Sequence, residues 1–163
     1  MIVVVMGVSG SGKSTLAERL VEQTGWAYAE GDDYHPVANK NKMAAGIALT
    51  DEDRLPWLDE LHAVLAGWQR EGRSGILTCS ALKESYRKRL AAGIEHLRFV
   101  WLDPPRAMLQ DWLTQRTGHY MNPNLLGSQL ATLEPPSGAD VLHLAGGESP
   151  EQAAAAVLGW LGS

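Results

Sequence analysis

Cysteine is almost missing from this chain: Cys79 is the only one in 163 residues. That excludes an internal disulfide and a multi-cysteine zinc site, and it fits a reducing compartment. Basic charge is also short, with 14 Lys and Arg against 19 Asp and Glu and a formal net charge of -5. Such a balance argues against broad contact with nucleic acid or an anionic membrane surface, so any positive field must be local. No apolar run approaches the ~18 residues that a membrane-spanning helix needs. The first residues show no basic stretch and no small-residue cleavage site. Repeats, low-complexity tracts and linkers are lacking too. These absences lead to the expectation of a cytoplasmic protein with no membrane or nucleic-acid partner, folded as a single domain over 1–163.

What is present centres on Gly7-Val8-Ser9-Gly10-Ser11-Gly12-Lys13-Ser14. It follows the apolar run 2–6, and the helical pattern 15–24 follows it. Strand, glycine-rich turn and helix N-terminus in that order form a P-loop. Backbone N–H groups of Gly7, Ser9, Gly10, Ser11 and Gly12 can point inward around phosphate oxygens, and the positive helix end adds to the field. In this pattern Lys13 reaches the β- and γ-phosphates, Ser14 ligates Mg²⁺, and Thr15 lies beside the same phosphates. The four fixed positions recur by chance in roughly one chain of this length in two hundred, before the flanking strand and helix are required. The chain is expected to bind a nucleoside triphosphate.

Along the rest of the chain, apolar periodicity predicts strands near 26–29, 75–79, 97–102 and 140–144. Helices are predicted for part of 37–49, and for a long segment capped by Thr50-Asp51-Glu52-Asp53. Further helices are predicted over 83–90, after Pro104-Pro105, and from Ser149-Pro150 to Leu161. Five strands alternating with helices predict an α/β three-layer fold with a parallel sheet. The polar segment 30–36 should emerge at the carboxyl end of that sheet, where ligands sit. Residues 117–124 have the character of a small lid. Apolar residues near 125–133 could form a dimer contact or pack on the core.

Three further absences narrow the class. Thr15 stands where a dinucleotide-binding fingerprint would have its third glycine. Asn39-Lys40-Asn41-Lys42 lacks the aspartate of a guanine-reading tetrad. The strand at 75–79 ends in Cys79-Ser80 rather than in a magnesium-holding carboxylate. Magnesium is therefore left to Ser14, phosphate oxygens and water, with Asp32 as an outer partner. A small kinase with a lid that excludes water is the reading these features support. Another sugar or small-acid kinase, of the kind that acts on shikimate, and a nucleotide-dependent switch protein are the alternatives.

Three clusters then carry a resemblance to the gluconate kinase (gluconokinase) family. The first is Gly31-Asp32-Asp33-Tyr34-His35-Pro36 with Asn39 and Lys42-Met43. The second is Gly46, Leu49, Asp51, Asp53-Arg54 and Pro56-Trp57-Leu58. The third joins Cys79-Ser80-Ala81-Leu82-Lys83 and Tyr86-Arg87 to Arg116, Gly118-His119-Tyr120-Met121, Ser128-Gln129 and Leu133-Glu134. The resemblance implies ATP-dependent phosphorylation of D-gluconate to 6-phosphogluconate. It implies a nucleoside-monophosphate-kinase-like fold with a central five-stranded parallel sheet, helices on both faces and a lid, commonly as a homodimer. The acceptor-binding segment would be 31–58.

Within that frame Asp32, rather than Asp33, orients the acceptor hydroxyl and takes its proton, because the family register favours it. Gluconate is an anion, and Arg54 or Arg87 could grip its carboxylate through a guanidinium fork. Arg54, read in a loop before Pro56-Trp57, could equally form a structural salt bridge, and Arg87, beside Lys88 and Arg89, reads first as a solvated helix face. Lys83 and His35 could support its hydroxyls, with His119 and Gln129 as weaker candidates. Arg116, where a helix meets the lid, could stabilise charge on the transferring phosphoryl group or serve only as a cation complementing the helix dipole. The chain departs from the family at Trp112, where gluconate kinases tend to carry an arginine that in related kinases lies over the adenine. Trp112 either offers its indole face to that ring or fills core beside Leu109 and Leu113. Ala48, where the family favours proline, should only loosen its loop.

Overall fold

The apolar run at 2–6 becomes β1 (Ile2–Met6), the central strand of a parallel sheet, buried along its whole length. The computed structural model describes residues 1–115 and 125–162. After β1 come α1 (Lys13–Thr24), β2 (Ala27–Glu30), a 3₁₀ turn (Gly31–Tyr34), α2 (Val37–Ala44), α3 (Asp51–Arg70) and β3 (Gly75–Thr78). Then follow α4 (Glu84–Ala91), β4 (Arg98–Leu102), α5 (Arg106–Gln115), α6 (Leu125–Thr132), β5 (Val141–Leu144) and α7 (Pro150–Leu161). The strand order is β2-β3-β1-β4-β5, with every neighbouring pair parallel.

Strand side chains alternate between faces, and the two faces of the sheet meet different helices. Val3, Val5, Ile76 and Val100 pack with Leu16 and Leu20 of α1 and with Ala154 and Val157 of α7. Val4, Met6, Leu77 and Phe99 pack with Leu58, Leu61 and Leu65 of α3, Leu90 of α4 and Leu126 of α6. A sheet covered on both faces needs strands that are apolar without alternation, which is how 2–6 reads. Each fully buried Val or Leu adds about 1.5–3 kcal/mol of transfer free energy. The α/β three-layer fold expected above is the one observed.

Local signals set several boundaries as read. Thr50 and Asp53 form a capping box: Asp53 N–H donates to Thr50 Oγ1 (3.1 Å) and Thr50 N–H to Asp53 Oδ2 (3.0 Å). Ser149 and Gln152 do the same for α7. Three readings shift. The second strand runs one residue later than 26–29, which brings Glu30 into it. Arg54 lies in the first turns of α3 and not in a loop. Residues 125–132 form a helix that no periodicity announced, and Leu125 and Leu126 are buried within the chain. The apolar surface there packs on the core.

Candidate active site

The P-loop leaves the carboxyl end of β1 and turns directly into α1. Gly7 is required by close approach: a Cβ there would stand 2.7 Å from the Leu102 carbonyl oxygen, and its φ is +148°. No side chain caps the N-terminus of α1, and no acidic residue stands in its first turn. Its N–H groups are thus open to an anion. Lys13 Nζ folds back onto the carbonyls of Gly7 and Val8, both at 3.0 Å. Ser11 Oγ is buried with no hydrogen-bond partner among the described residues, which is costly unless a ligand oxygen meets it. Ser9 N–H donates to Gln129 Oε1 of α6 at 2.7 Å, tethering the loop to a helix far along the chain. An uncapped helix end, an orphaned hydroxyl and a folded-back lysine suit a polyphosphate.

The carboxylate beside Ser14 is Glu30, which the sequence reading passed over in favour of Asp32. Ser14 Oγ donates to Glu30 Oε2 (2.7 Å), Thr78 Oγ1 donates to Oε1 (2.8 Å), and the Tyr28 hydroxyl donates to Oε2. Burial, then the hydrogen bond to Glu30, push the Tyr28 pKa upward, so its phenol stays a donor. Hydroxyl and carboxylate oxygens together suit a hard divalent cation. Among the described residues no group of three or more His, Cys, Asp or Glu could hold a metal by itself. A Mg²⁺ here would depend on phosphate oxygens and water for its remaining ligands.

Next to the P-loop, a pocket of about 510 Å³, open solvent at its mouth included, brings Lys13, Asp32, His35 and Arg54 together with Ser80 and Ser128. Asp32 is placed by the 3₁₀ turn, which is fastened at both ends of Gly31. Gly31 N–H donates to Thr78 Oγ1 (3.1 Å), and its carbonyl accepts from Trp57 Nε1 (2.8 Å). His35 stacks on Trp57, with centroids 4.0 Å apart and planes 15° from parallel. Its pKa is lowered to about 4, by burial first and then by the charges of Arg54 and Lys40. The ring is neutral at physiological pH.

Arg54 enters the pocket from α3. Its Nη1 donates to the Tyr86 hydroxyl (2.9 Å), and that hydroxyl donates to Asp51. Among the described residues no carboxylate lies within salt-bridge reach of Arg54. The other basic candidates fall elsewhere. Lys83 pairs with Asp51 at 3.0 Å and does not line the pocket. Arg87 is buried, with Nη1 on the carbonyls of Ala81 (2.7 Å) and Leu82 (3.2 Å) and Nη2 on that of Glu134 (2.7 Å). It secures the turn after β3, in which Ala81 takes a φ of 46°. Its place is structural geometry away from the pocket.

On the other side of the P-loop, a cleft of about 890 Å³, again open to solvent, is lined by Ser11, Gly12, Thr15, Leu102, Trp112 and Glu148. Trp112 is half-buried there, so its indole faces a space beside the phosphate loop. Arg116, His119 and the expected lid over 117–124 lie outside the described residues.

A family model described as an AAA domain matches residues 2–136. A gluconokinase from Gluconobacter oxydans is 46% identical over 149 residues, covering 91% of this chain and 84% of that protein. The crystal structure of a gluconokinase from Sinorhizobium meliloti superposes with a TM-score of 0.87 at 40% identity, covering 98% of this chain and 90% of that one. An unliganded sugar kinase from Janibacter gives a TM-score of 0.90 at 44% identity, over 99% and 94% of the two chains.

Proposed function

The chain belongs to the gluconokinase family of P-loop kinases, and from that membership we propose that it transfers the γ-phosphoryl group of ATP to D-gluconate, yielding 6-phospho-D-gluconate and ADP. The observation that carries the acceptor's identity is Arg54. It is a half-buried arginine lining a pocket that also holds Asp32 and Lys13, and among the described residues no carboxylate pairs with it. A sugar acid supplies the missing anion, and its hydroxyl chain extends toward the P-loop.

In the working site the polyphosphate lies along the amides of residues 7–14, with Lys13 leaving the carbonyls of Gly7 and Val8 for phosphate oxygens. Ser11 Oγ gains a partner there. Arg54 binds the gluconate carboxylate, which fixes the far end of the acceptor. Asp32 then receives a hydrogen bond from the reacting hydroxyl and aims its oxygen at the γ-phosphorus. Proton loss is late because phosphoryl transfer is largely dissociative, so orientation is the larger part of its role. Ser14 and Glu30 are the residues that would hold Mg²⁺; when bound, the ion offsets charge on the phosphate oxygens. Trp112 stacks on the adenine in the cleft beside Gly12. Arg116 and His119 are assigned to the transferring phosphoryl group and to the acceptor, on the family resemblance.

The finer organisation belongs to the same proposal: one kinase domain over 1–163, working in the cytoplasm as a homodimer. The buried, lone Cys79, its thiol pKa pushed up to about 12 by burial, supports a reducing compartment. A coupled ADP-release assay with gluconate, shikimate, glycerate, ribose and nucleosides tests the function. Release should depend on gluconate alone. ADP formation indifferent to every acceptor would overturn the kinase reading and favour a nucleotide switch.

A further inference from the structure

We propose that Asn39 fixes His35 as a neutral imidazole carrying its proton on Nε2, and that this N–H donates to a hydroxyl of the polyol acceptor. The inference rests on the sugar-acid reading of the pocket and adds a positioning residue, Asn39, and a direction for the bound chain.

The tautomer follows from a short chain of hydrogen bonds. Asn39 Nδ2 donates to the Asp53 carbonyl oxygen at 2.8 Å. A carbonyl only accepts, so this end of the amide must be the nitrogen. The same Nδ2 lies 3.3 Å from His35 Nδ1. An amide nitrogen carries two hydrogens and no available lone pair, so Nδ1 must be the acceptor. The ring proton is left on Nε2. Asn39 is 4% exposed and Trp57 1%. The ring cannot swivel, because it lies flat on Trp57, and Trp57 is itself pinned to the Gly31 carbonyl. With Nδ1 engaged, the Nε2 edge is what His35 offers to the pocket it lines.

Burial first, and then the charges of Arg54 and Lys40, keep the ring neutral. Arg54 faces it from α3, Lys40 from α2 and Lys13 from the P-loop, while Asp32 stands on its own turn. Asp53 presents its carbonyl, its carboxylate being taken by Lys42 at 2.8 Å. A protonated ring would turn a second N–H toward the Asn39 amide, donor against donor. A neutral donor does not compete with Arg54 for the gluconate carboxylate. It reads a hydroxyl, so the pocket has one cationic end and one neutral end, and the acceptor enters in one orientation.

The test combines NMR of ¹⁵N-histidine-labelled protein with steady-state kinetics. The His35 signal, assigned by its loss in His35→Gln, should show Nε2–H from about pH 5 to about pH 9 with no titration. An Nδ1–H tautomer, or a titration midpoint above about pH 6, overturns the proposal. Asn39→Asp replaces the donor by an acceptor and should move the proton to Nδ1 or admit a second one. If that variant does not fold, His35→Phe and His35→Gln still decide. Phe keeps a ring on Trp57 without the donor and should raise KM for gluconate by about tenfold or more, exceeding any fall in kcat. Gln places an amide N–H near Nε2 and should restore most of that loss. A gluconate KM within about threefold of wild type in His35→Phe refutes the donor role while leaving the kinase reading intact. Wild-type protein indifferent to gluconate refutes that reading and the donor role with it, whereas the NMR result judges the tautomer alone.

Discussion

Gly31→Ala is the most informative single change, because its effect follows from one distance. A Cβ at Gly31 would lie 2.0 Å from the Thr78 carbonyl oxygen and 3.1 Å from the carbon behind it. That is short of van der Waals contact by roughly 1 Å or more. Gly31 is not one of the left-handed glycines, so the missing side chain alone is at issue. Thr78 cannot retreat: it ends β3, between Val5 of β1 and Glu30 of β2. The 3₁₀ turn must move instead, stretching the bonds from Gly31 N–H to Thr78 and from Trp57 to the Gly31 carbonyl, and carrying Asp32 with it. A displacement of about 1 Å at a group that aligns the attacking hydroxyl costs roughly 10²-fold in rate. Overpacking adds about 1–3 kcal/mol of destabilisation, or a melting temperature lower by about 3–10 °C for a chain of this size. Coupled ADP release should therefore show kcat/KM for gluconate down by about 10²-fold, while the dissociation constant for the ATP–magnesium complex stays within about threefold. Turnover within about threefold of wild type would refute the claim that the turn positions Asp32. Equal loss of nucleotide binding would show that the damage is general.

Other perturbations separate the remaining assignments. Arg54→Ala should raise KM for gluconate by about 10- to 100-fold, whereas Arg87→Ala, which abandons three carbonyls, should lower the melting temperature by about 4–12 °C; the reverse pattern would exchange their roles. Glu30→Gln should raise the magnesium concentration for half-maximal rate by about tenfold, and an unchanged magnesium titration would remove Glu30 from that site. Trp112→Phe should abolish most of the nucleotide-induced quenching of tryptophan fluorescence, and quenching that survives unchanged returns Trp112 to the core. His35 has a folded pKa of about 4 against an ordinary 6.5. The unfolded chain therefore binds the extra proton first, and stability falls as pH drops from about 6.5 to about 4, by about 3 kcal/mol in all. Denaturant midpoints of wild type and His35→Gln should converge across that window, and parallel curves would refute the buried neutral ring.

How much of this was legible in the sequence depended on how far apart the determinants lie. The P-loop needs only residues 7–14 and the flanking run, so its function was readable directly, and the two capping boxes are equally local. The choice between Arg54 and Arg87 was not. Arg54 follows three acids and Arg87 follows Tyr86, three residues after Glu84, and only tertiary hydrogen bonds reveal that Arg87 is consumed by carbonyls of 81, 82 and 134. α6 escaped because Gly127 and Ser128 interrupt its apolar pattern; its packing on the core, and Gln129 reaching Ser9, are contacts across the fold.

Glu30 shows how a one-residue difference can hide a functional group. Read as a strand over 26–29, the second apolar segment ends before Glu30 and leaves it in a polar loop. Extended to Glu30, the strand pairs that residue with Thr78 at the end of β3 and sets its carboxylate against Ser14. The absence of an acid at the end of 75–79 then has a physical counterpart. In place of a carboxylate, β3 contributes Thr78, whose hydroxyl donates to Glu30 Oε1 and accepts from Gly31 N–H. One threonine thus braces the acid at the P-loop serine and the turn that carries Asp32. Thr78→Val, nearly the same shape without the hydroxyl, would release both at once, so its losses in magnesium affinity and in turnover should appear together, whereas Glu30→Gln should affect magnesium first.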